Sequence, residues 1–378
     1  MNQVNKSNLQ FNSDELERYS RHILLPEVGE SGQQKLKESS VLCVGCGGLG
    51  SPLLIYLAAA GIGKIGIVDS DVVEKSNLQR QIIHSTECIG KPKTSSAKKR
   101  ILEINPHCKV KIFNTSLTSK NALEIISQFN LVCDCTDNFE ARYLINDAST
   151  ILDKAIIYGA ISKFEGQVTV FNLTRNSPNF RDLIPEAPPK NLLPTCSEIG
   201  VMGILPGLIG LIQATEVIKI IASIGEPLDG RLLVVDSLKM KFKELKLVKD
   251  KERETPIKLG EYTQLHDETE SLIDSISVER LKYLLNTTPK KIFIMDVRTK
   301  MENKINSIDG STLIPLDNLS EKIEIEKIKE ISLKKELYIH CKSGERAKKA
   351  ILILKKYGIY AKNITGGIDA WLRESYSE

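Results

Sequence analysis

The sequence predicts two α/β units in one chain, the larger built on a parallel sheet. Three observations carry this. Val41 to Asp71 (VLCVGCGGLGSPLLIYLAAAGIGKIGIVDSD) reads as strand, glycine turn, helix, strand. Strand-length apolar runs then alternate with helical stretches up to residue 248. After a charged segment, 249–272, the alternation restarts. A length of 378 residues suits two or three domains, each with its own core.

Residues 13–37 read as helical and contain RYSRH. Arg18 and Arg21, three apart, share a face, which is either solvated or a cationic clamp for phosphates. Val41 to Val44 is a buried strand. Gly45, Gly47 and Gly50 follow in the spacing G-x-G-x-x-G, and the helix over Leu53 to Ala60 is stopped by Gly61. A backbone that must approach a phosphate cannot carry a Cβ in the way, and a helix N-terminus offers free N–H groups. Ile65 to Val68 is the next strand, closed by Asp69, which is placed near a ribose. The element is a Rossmann-like phosphate cradle, and taken alone it suits a dehydrogenase as well as anything else.

Past that strand, Asn77, Gln79, Arg80 and Gln81 form a polar cluster where α/β sheets bind ligands. GKPKTSSAKKRILEIN is a helix entered through Pro92, with Lys93 and Lys98 near its start. The strand in FNLVCDCTDN ends so that Asp134, Asp137 and Asn138 emerge at the same carboxyl edge. Asp137 is a candidate magnesium or catalytic carboxylate, and Asp also suits a helix N-cap. Ile156–Ala160 and Gly166–Phe171 are later strands. A proline-rich loop over 178–194 leads to Cys196 in PTCSEIGVMG. An apolar helix over 201–224 and strands over Leu232–Asp236 and Phe242–Leu247 complete the unit.

The segment 249–272 (KDKERETPIKLGEYTQLHDETESL) is charged, lacks apolar periodicity and reads as a linker. The last unit has a helix in SVERLKYLLN, a strand ending at Asp296 and Arg298, and a strand ending at Cys341. The loop Lys342, Ser343, Gly344, Glu345, Arg346 then leads into a helix stopped by Gly358. A thiol between a strand end and a helix N-terminus sits on backbone N–H groups, and Lys342 and Arg346 add positive charge. Both effects stabilise a thiolate or persulfide.

A net charge of +4 with dispersed Lys and Arg gives no footprint for nucleic acid. No segment reads as a bilayer span, and the polar start reads as no signal peptide, so the expected compartment is the cytosol. The eight cysteines then read as thiols. Cys43 and Cys46 match C-x-x-C as text, but one lies on the strand and the other in the glycine turn, so both read as packing, as do Cys133 and Cys135.

The ordered runs RYSRH, VGCGGLGSP, IVDSDVVEKSNLQRQ, GKPK, DCTDNFEAR and PTCSEIGVMG make residues 13–248 resemble the adenylyltransferases that activate ubiquitin-like sulfur carriers. These belong to the ubiquitin-activating superfamily, in its molybdopterin-synthase and thiamin branches. DVR and CKSGER make 276–376 resemble a rhodanese domain. The resemblance implies a fold: a Rossmann-like nucleotide-binding domain (1–248), the linker (249–272) and a small α/β rhodanese domain (273–378). It also implies roles. Gly48, Asp69, Ser76, Asn77, Leu78, Gln79 and Arg80 would contact ATP, and Lys93 would reach its phosphates. Asp137, with Asn138 beside it, would hold magnesium. Arg21 would act from the other subunit of a homodimer. The carrier, ending in Gly-Gly, would be adenylated, and sulfur from a cysteine desulfurase or thiosulfate would pass through Cys341, with Cys196 assisting.

Two departures stand out. Members of the family commonly hold a structural zinc on two C-x-x-C pairs; here the first pair's positions are Asn179 and Asp182, and the second falls in KDKERETP, so no structural zinc is expected. NSIDGS replaces the usual Gly-His-Ile-Pro-Gly-like turn of the rhodanese part. Joining two anions demands cations and positioned donors, which Arg21, Arg80, Lys93 and a metal supply. A nicotinamide-dependent oxidoreductase needs no such group of cations, and a non-catalytic carrier-binding scaffold would not need Arg80, Lys93 and Asp137.

Overall fold

A computed structural model describes residues 11–186, 200–260, 262 and 273–375. Internal contacts divide the chain into two compact units, Met1–Leu265 and His266–Glu378.

The stretch read as one helix over 13–37 is two, α1 (Ser13–Ile23) and α2 (Gly29–Glu38). Pro26 lies in the break, because a proline steers the residue before it out of the helical region. Asn12 and Glu15 close the start of α1 by exchanging backbone–side-chain hydrogen bonds of 2.9 and 3.0 Å. There follow β1 (Ser40–Val44), α3 (Gly50–Ala60), β2 (Lys64–Val68), α4 (Lys93–Ile104), β3 (Lys109–Phe113) and α5 (Ala122–Ile126). Next come β4 (Leu131–Asp134), α6 (Phe139–Ile151), β5 (Ala155–Ser162), β6 (Glu165–Phe171), α7 (Phe180–Leu183) and α8 (Ile204–Ala222). Strands β7 (Arg231–Asp236) and β8 (Lys241–Lys246) finish the unit.

The sheet order is β3-β2-β1-β4-β5-β6-β7-β8, parallel from β3 to β5 and antiparallel beyond. The connections reverse direction between β1 and β4. That switch point opens a crevice at the carboxyl ends of these two strands, where α/β sheets bind ligands. The strands β1, β2 and β4 are buried almost end to end, as parallel strands covered on both faces must be. On α3, Leu53, Leu54 and Leu57 are fully buried, each contributing about 1.5–3 kcal/mol of burial.

Two expectations change. No segment was expected to be long and apolar enough for a bilayer, but α8 has 19 residues and a mean hydropathy of 1.7. Its apolar content has a local cause. Leu205, Ile209, Ala214 and Val217 are buried in the core, and Gln213 donates to the carbonyls of Asp134 (2.9 Å) and Ile157 (3.1 Å). The charged segment read as a linker is also partly structured. Tyr262 is buried and donates to Asp147 Oδ2 at 2.7 Å, so this portion belongs to the first unit. Arg253 of this segment faces Asp182 and Asp250, while Lys251, Glu252, Glu254 and Lys258 are exposed.

The second unit holds β9 (Ser275–Ile276), α9 (Val278–Thr287), β10 (Ile292–Asp296), α10 (Lys300–Ile305) and β11 (Thr312–Leu313). It continues with α11 (Lys322–Ser332), β12 (Glu336–His340), α12 (Glu345–Lys355), β13 (Ala361–Ile364) and α13 (Gly367–Ser375). Its sheet, β11-β10-β12-β13-β9, is parallel throughout. Asp296 and Arg298 form a buried ion pair of 2.7 Å at the end of β10. Removing one partner of such a pair costs about 3–5 kcal/mol.

Candidate active site

The glycine turn leaves β1 at the switch point. Gly45 has φ +90°, and a Cβ there would stand 2.8 Å from the Cys135 carbonyl oxygen, so only glycine fits between the ends of β1 and β4. The turn is braced from two sides. Asp69 Oδ2 accepts from the Cys46 N–H at 2.9 Å, and Asp69 Oδ1 accepts from the Asp71 N–H at 2.9 Å. The buried His84 ring meets the Cys46 carbonyl at 3.1 Å through Nε2 and the Ser96 hydroxyl at 2.9 Å through Nδ1. A carbonyl only accepts, so Nε2 carries the proton and Nδ1 accepts. Burial lowers the pKa of His84, in keeping with a neutral ring.

A cavity of about 980 Å³ opens beside the turn, lined by Gly47, Gly48, Asp69, Arg80, Lys93, Asp137 and Asn138 among others. Lys93, at the start of α4, is buried and donates to Asp71 Oδ2 at 2.8 Å. Burial alone would lower the pKa of this ammonium. The Asp71 hydrogen bond and the charges of Asp69 and Asp71 outweigh it and raise the Lys93 pKa above the usual lysine value. Arg80 reaches the cavity from the turn after Lys75–Asn77 and donates to the Ser76 carbonyl at 3.0 Å. Within the run 76–80 only Arg80 lines the cavity; buried Asn77 instead accepts from the Glu74 N–H at 3.1 Å and shapes the turn.

At the end of β4, Asn138 is the N-cap of α6, accepting from the Ala141 N–H at 2.9 Å. The capping role that Asp137 also suited thus falls to its neighbour. Asp137 makes no hydrogen bond or ion pair with the described residues and lines the cavity with its carboxylate uncommitted. Asp134 is buried below it and is held by the Thr136 N–H (3.0 Å) and hydroxyl (2.7 Å). Burial raises its pKa.

Sequence reasoning passed over Arg142, which lines the cavity, whereas Gln81 belongs to the polar cluster read from the sequence. Arg142 is buried on α6, donates to the Thr136 carbonyl at 3.0 Å and lies 5.4 Å from the Tyr158 ring centre. Its presence inside DCTDNFEAR, one helical turn past the cap, was the available signal. Gln81 is buried beside Gly47, and its Oε1 accepts no hydrogen bond, so the cavity wall holds an unspent acceptor.

Other expected site residues lie elsewhere. Arg21 is exposed on α1 and does not line this cavity. Arg18 is committed to the Ile104 carbonyl at 2.9 Å. Cys196 lies outside the described residues. Cys341 belongs to the second unit, at the end of β12. Its thiol is buried and accepts from the Gly344 N–H at 3.1 Å, with Gly344 at φ +114°. Arg346, expected to lend that thiol positive charge, is paired with Glu302, donating from Nη1 at 2.8 Å. Arg346 holds the Glu302 carboxyl down to about 2. The loop's arginine thus has a carboxylate partner on α10, which a partly buried guanidinium needs.

The model of the ThiF family matches residues 19–257, well over half the chain. The chain belongs to the ThiF family. A rhodanese-like domain matches residues 277–374. The chain is 40% identical to the probable adenylyltransferase/sulfurtransferase MoeZ of Mycobacterium tuberculosis, covering 96% of this chain and 94% of that protein. It is 39% identical to adenylyltransferase and sulfurtransferase MOCS3-1 of Zea mays over 96% of this chain and 82% of that one. The sulfur carrier protein adenylyltransferase of Thermus thermophilus is 46% identical over 63% of this chain and 89% of its own length. The crystal structure of selenomethionine PaaA overlays with a TM-score of 0.57 at 23% identity, covering 66% of this chain and 78% of that one, which shows a shared fold. This ThiF-family chain is an adenylyltransferase with a sulfurtransferase domain, and adenylyl transfer in the family draws on ATP.

Proposed function

We propose that this enzyme adenylates the C-terminal glycine of a ubiquitin-like sulfur-carrier protein and converts it to a thiocarboxylate, in the cytosol, with residues 1–248 as the adenylating domain. Residues 273–378 supply the sulfur. The single supporting observation is one cavity at the switch point that gathers the glycine turn, Asp69, Arg80, Lys93 and an uncommitted Asp137. A related ThiF-type protein is a named sulfur carrier protein adenylyltransferase.

The glycine turn and α3 N-terminus would receive phosphate oxygens, and Asp69 the ribose. Arg80 and Lys93 would neutralise the triphosphate, with Arg21 of a second subunit of a homodimer completing the set. A magnesium ion fits Asp137, whose carboxylate is exposed to the cavity and unpaired among the described residues, with Asn138 beside it; it would supply charge for binding the phosphates. The carrier carboxylate attacks the α-phosphorus, a C–O–P linkage forms, and the bond to the β-phosphate breaks to release pyrophosphate. The outer sulfur of a Cys341 persulfide then attacks the acyl carbon and AMP leaves. The acyl group is now joined to Cys341 through two sulfurs. Attack by the Cys196 thiol on Cys341 Sγ forms a Cys196–Cys341 disulfide and frees the thiocarboxylate; a thiol reductant resets the pair.

Carriers of molybdopterin, thiamin or related sulfur-relay routes fit this chemistry, as do thiosulfate and a cysteine desulfurase as sulfur sources. ATP–pyrophosphate exchange with each Gly-Gly carrier of the source genome, followed by mass analysis of the carrier, tests the reading. Exchange dependent on one carrier supports it; absence of exchange with every carrier overturns it and returns the oxidoreductase and scaffold readings. Cys341→Ala is expected to adenylate without sulfur transfer. Cys196→Ala is expected to adenylate and to form the persulfide but to yield less thiocarboxylate.

A further inference from the structure

The zinc implied by the family resemblance does not fit this chain. Its first ligand pair is replaced by Asn179 and Asp182, and residues 249–256 offer neither Cys nor His. Asp182 is also already engaged. Its carboxylate is 1% exposed, accepts from the Asn179 N–H at 2.8 Å and from the Asp250 N–H at 3.1 Å, and faces Arg253 Nε at 3.6 Å. One oxygen thus closes the turn at α7 while the other grips the segment after β8.

A second carboxylate continues the join. Asp147 on α6 is 6% exposed on its side chain and takes Arg181 in a two-point pair of 2.9 and 2.7 Å. Its Oδ2 also accepts from the Tyr262 hydroxyl at 2.7 Å. Burial first, and then the Asp147 carboxylate, raise the Tyr262 pKa, so its proton stays in place. Both ends of this network reach the nucleotide cavity. Ile184, whose carbonyl accepts from Tyr143 at 2.9 Å, and Tyr262 line its wall.

We propose that Asp182 and Asp147 form a metal-free clamp, bridging the turn at Asn179–Leu183 to the segment 250–262 and positioning Ile184 and Tyr262 as one wall of the cavity. Asp182, Arg253, Asp147 and Arg181 are positioning residues. The two-point guanidinium–carboxylate pair of Arg181 with Asp147, and the backbone donors of Asn179 and Asp250 on Asp182, fix direction as well as distance, which is what a four-ligand metal would otherwise do. A wall held this way binds substrate; it takes no part in bond making. The proposal rests on reading the cavity as the ATP site, but the clamp can be tested apart from that reading.

The experiment uses the full-length enzyme and the variants Asp182→Ala, Arg253→Met and their combination. Amide hydrogen exchange over 249–262 tests the clamp without any turnover. Each single variant is expected to speed exchange there by at least about tenfold, and the double variant no more than Asp182→Ala alone, since removing Asp182 already removes the Arg253 contact. In ATP–pyrophosphate exchange the KM for ATP is expected to rise about three- to tenfold while kcat moves less than twofold, the signature of lost positioning rather than lost chemistry. Asp182→Glu should recover part of the loss. A chelator should leave exchange over 249–262 unchanged in the unsubstituted enzyme.

Additive exchange effects, or unchanged protection of 249–262 in Arg253→Met, overturn the clamp. So does one tightly held zinc per chain whose removal loosens the segment. Failure of the unsubstituted enzyme to bind or use ATP would instead overturn the reading of the cavity, and the hydrogen-exchange result would still decide the clamp.

Discussion

Lys93 Nζ stands 2.8 Å from Asp71 Oδ2, inside the cavity that the glycine turn borders. The pair raises the pKa of a buried ammonium that burial alone would lower. Lys93→Met is therefore expected to lower kcat/KM for ATP by about 10²–10³, as expected for a preorganised charge aimed at a phosphate. Because the folded pKa of Lys93 is raised, its stabilising contribution is complete below the ordinary value of 10.5 and is lost as pH rises through the folded value. Unfolding followed from pH 10.5 upward should show an alkaline loss of stability that Lys93→Met reduces.

Asp137→Ala should abolish pyrophosphate release and leave the fold intact. Asn138, not Asp137, caps α6. The matched control is Asn138→Ala, expected to cost about 1 kcal/mol of stability through the lost cap. Circular dichroism and carrier-dependent pyrophosphate release check both. A folded Asp137→Ala enzyme with normal release would refute the metal assignment.

Arg21 is exposed and absent from the cavity lining of its own chain. If it serves a second subunit, mixing inactive Arg21→Ala and Asp137→Ala chains should restore activity, because one of the two shared sites in a hybrid keeps every residue. Mixed dimers that form and remain inactive would show that Arg21 does not act in trans.

Glu302 and Arg346 link α10 to the Cys341 loop. With the Glu302 pKa depressed to about 2 in the folded chain, the pair stabilises fully above 4.5, and its contribution fades as pH falls toward that folded value. Glu302→Gln should lower the unfolding midpoint of the second unit at pH 7 and flatten its dependence on pH below 5. Trp371, the single tryptophan, lies in this unit and reports its unfolding by fluorescence. Equal acid sensitivity in both proteins would count against the pair.

Much of the fold was legible in short windows of sequence. The glycines at 45, 47 and 50, the buried strands on either side and Asp69 each follow from local rules: a positive φ, a side-chain period, a charge at a strand end. The pairing of strands into one sheet then carried Asp69, Lys93 and Asp137 to the same crevice, as their places at strand ends and a helix start imply. Cys341 before Gly344 was legible for the same reason, since three residues separate donor from acceptor.

The partners that complete these sites were not legible. His84 braces Cys46, Asp182 grips Asp250, Asp147 meets Tyr262, and Glu302 pairs with Arg346. Each joins residues 38 to 115 positions apart. Composition showed a charged segment at 249–272 and could only suggest solvation. Local propensity acts over a turn of helix or a pair of strand positions, whereas a buried carboxylate selects whichever donor the folded chain brings within hydrogen-bond distance. The sequence therefore determined the elements and the kind of chemistry. The tertiary structure decided which charges remain available for it, because only close approach in a water-poor interior turns two distant charges into a committed pair.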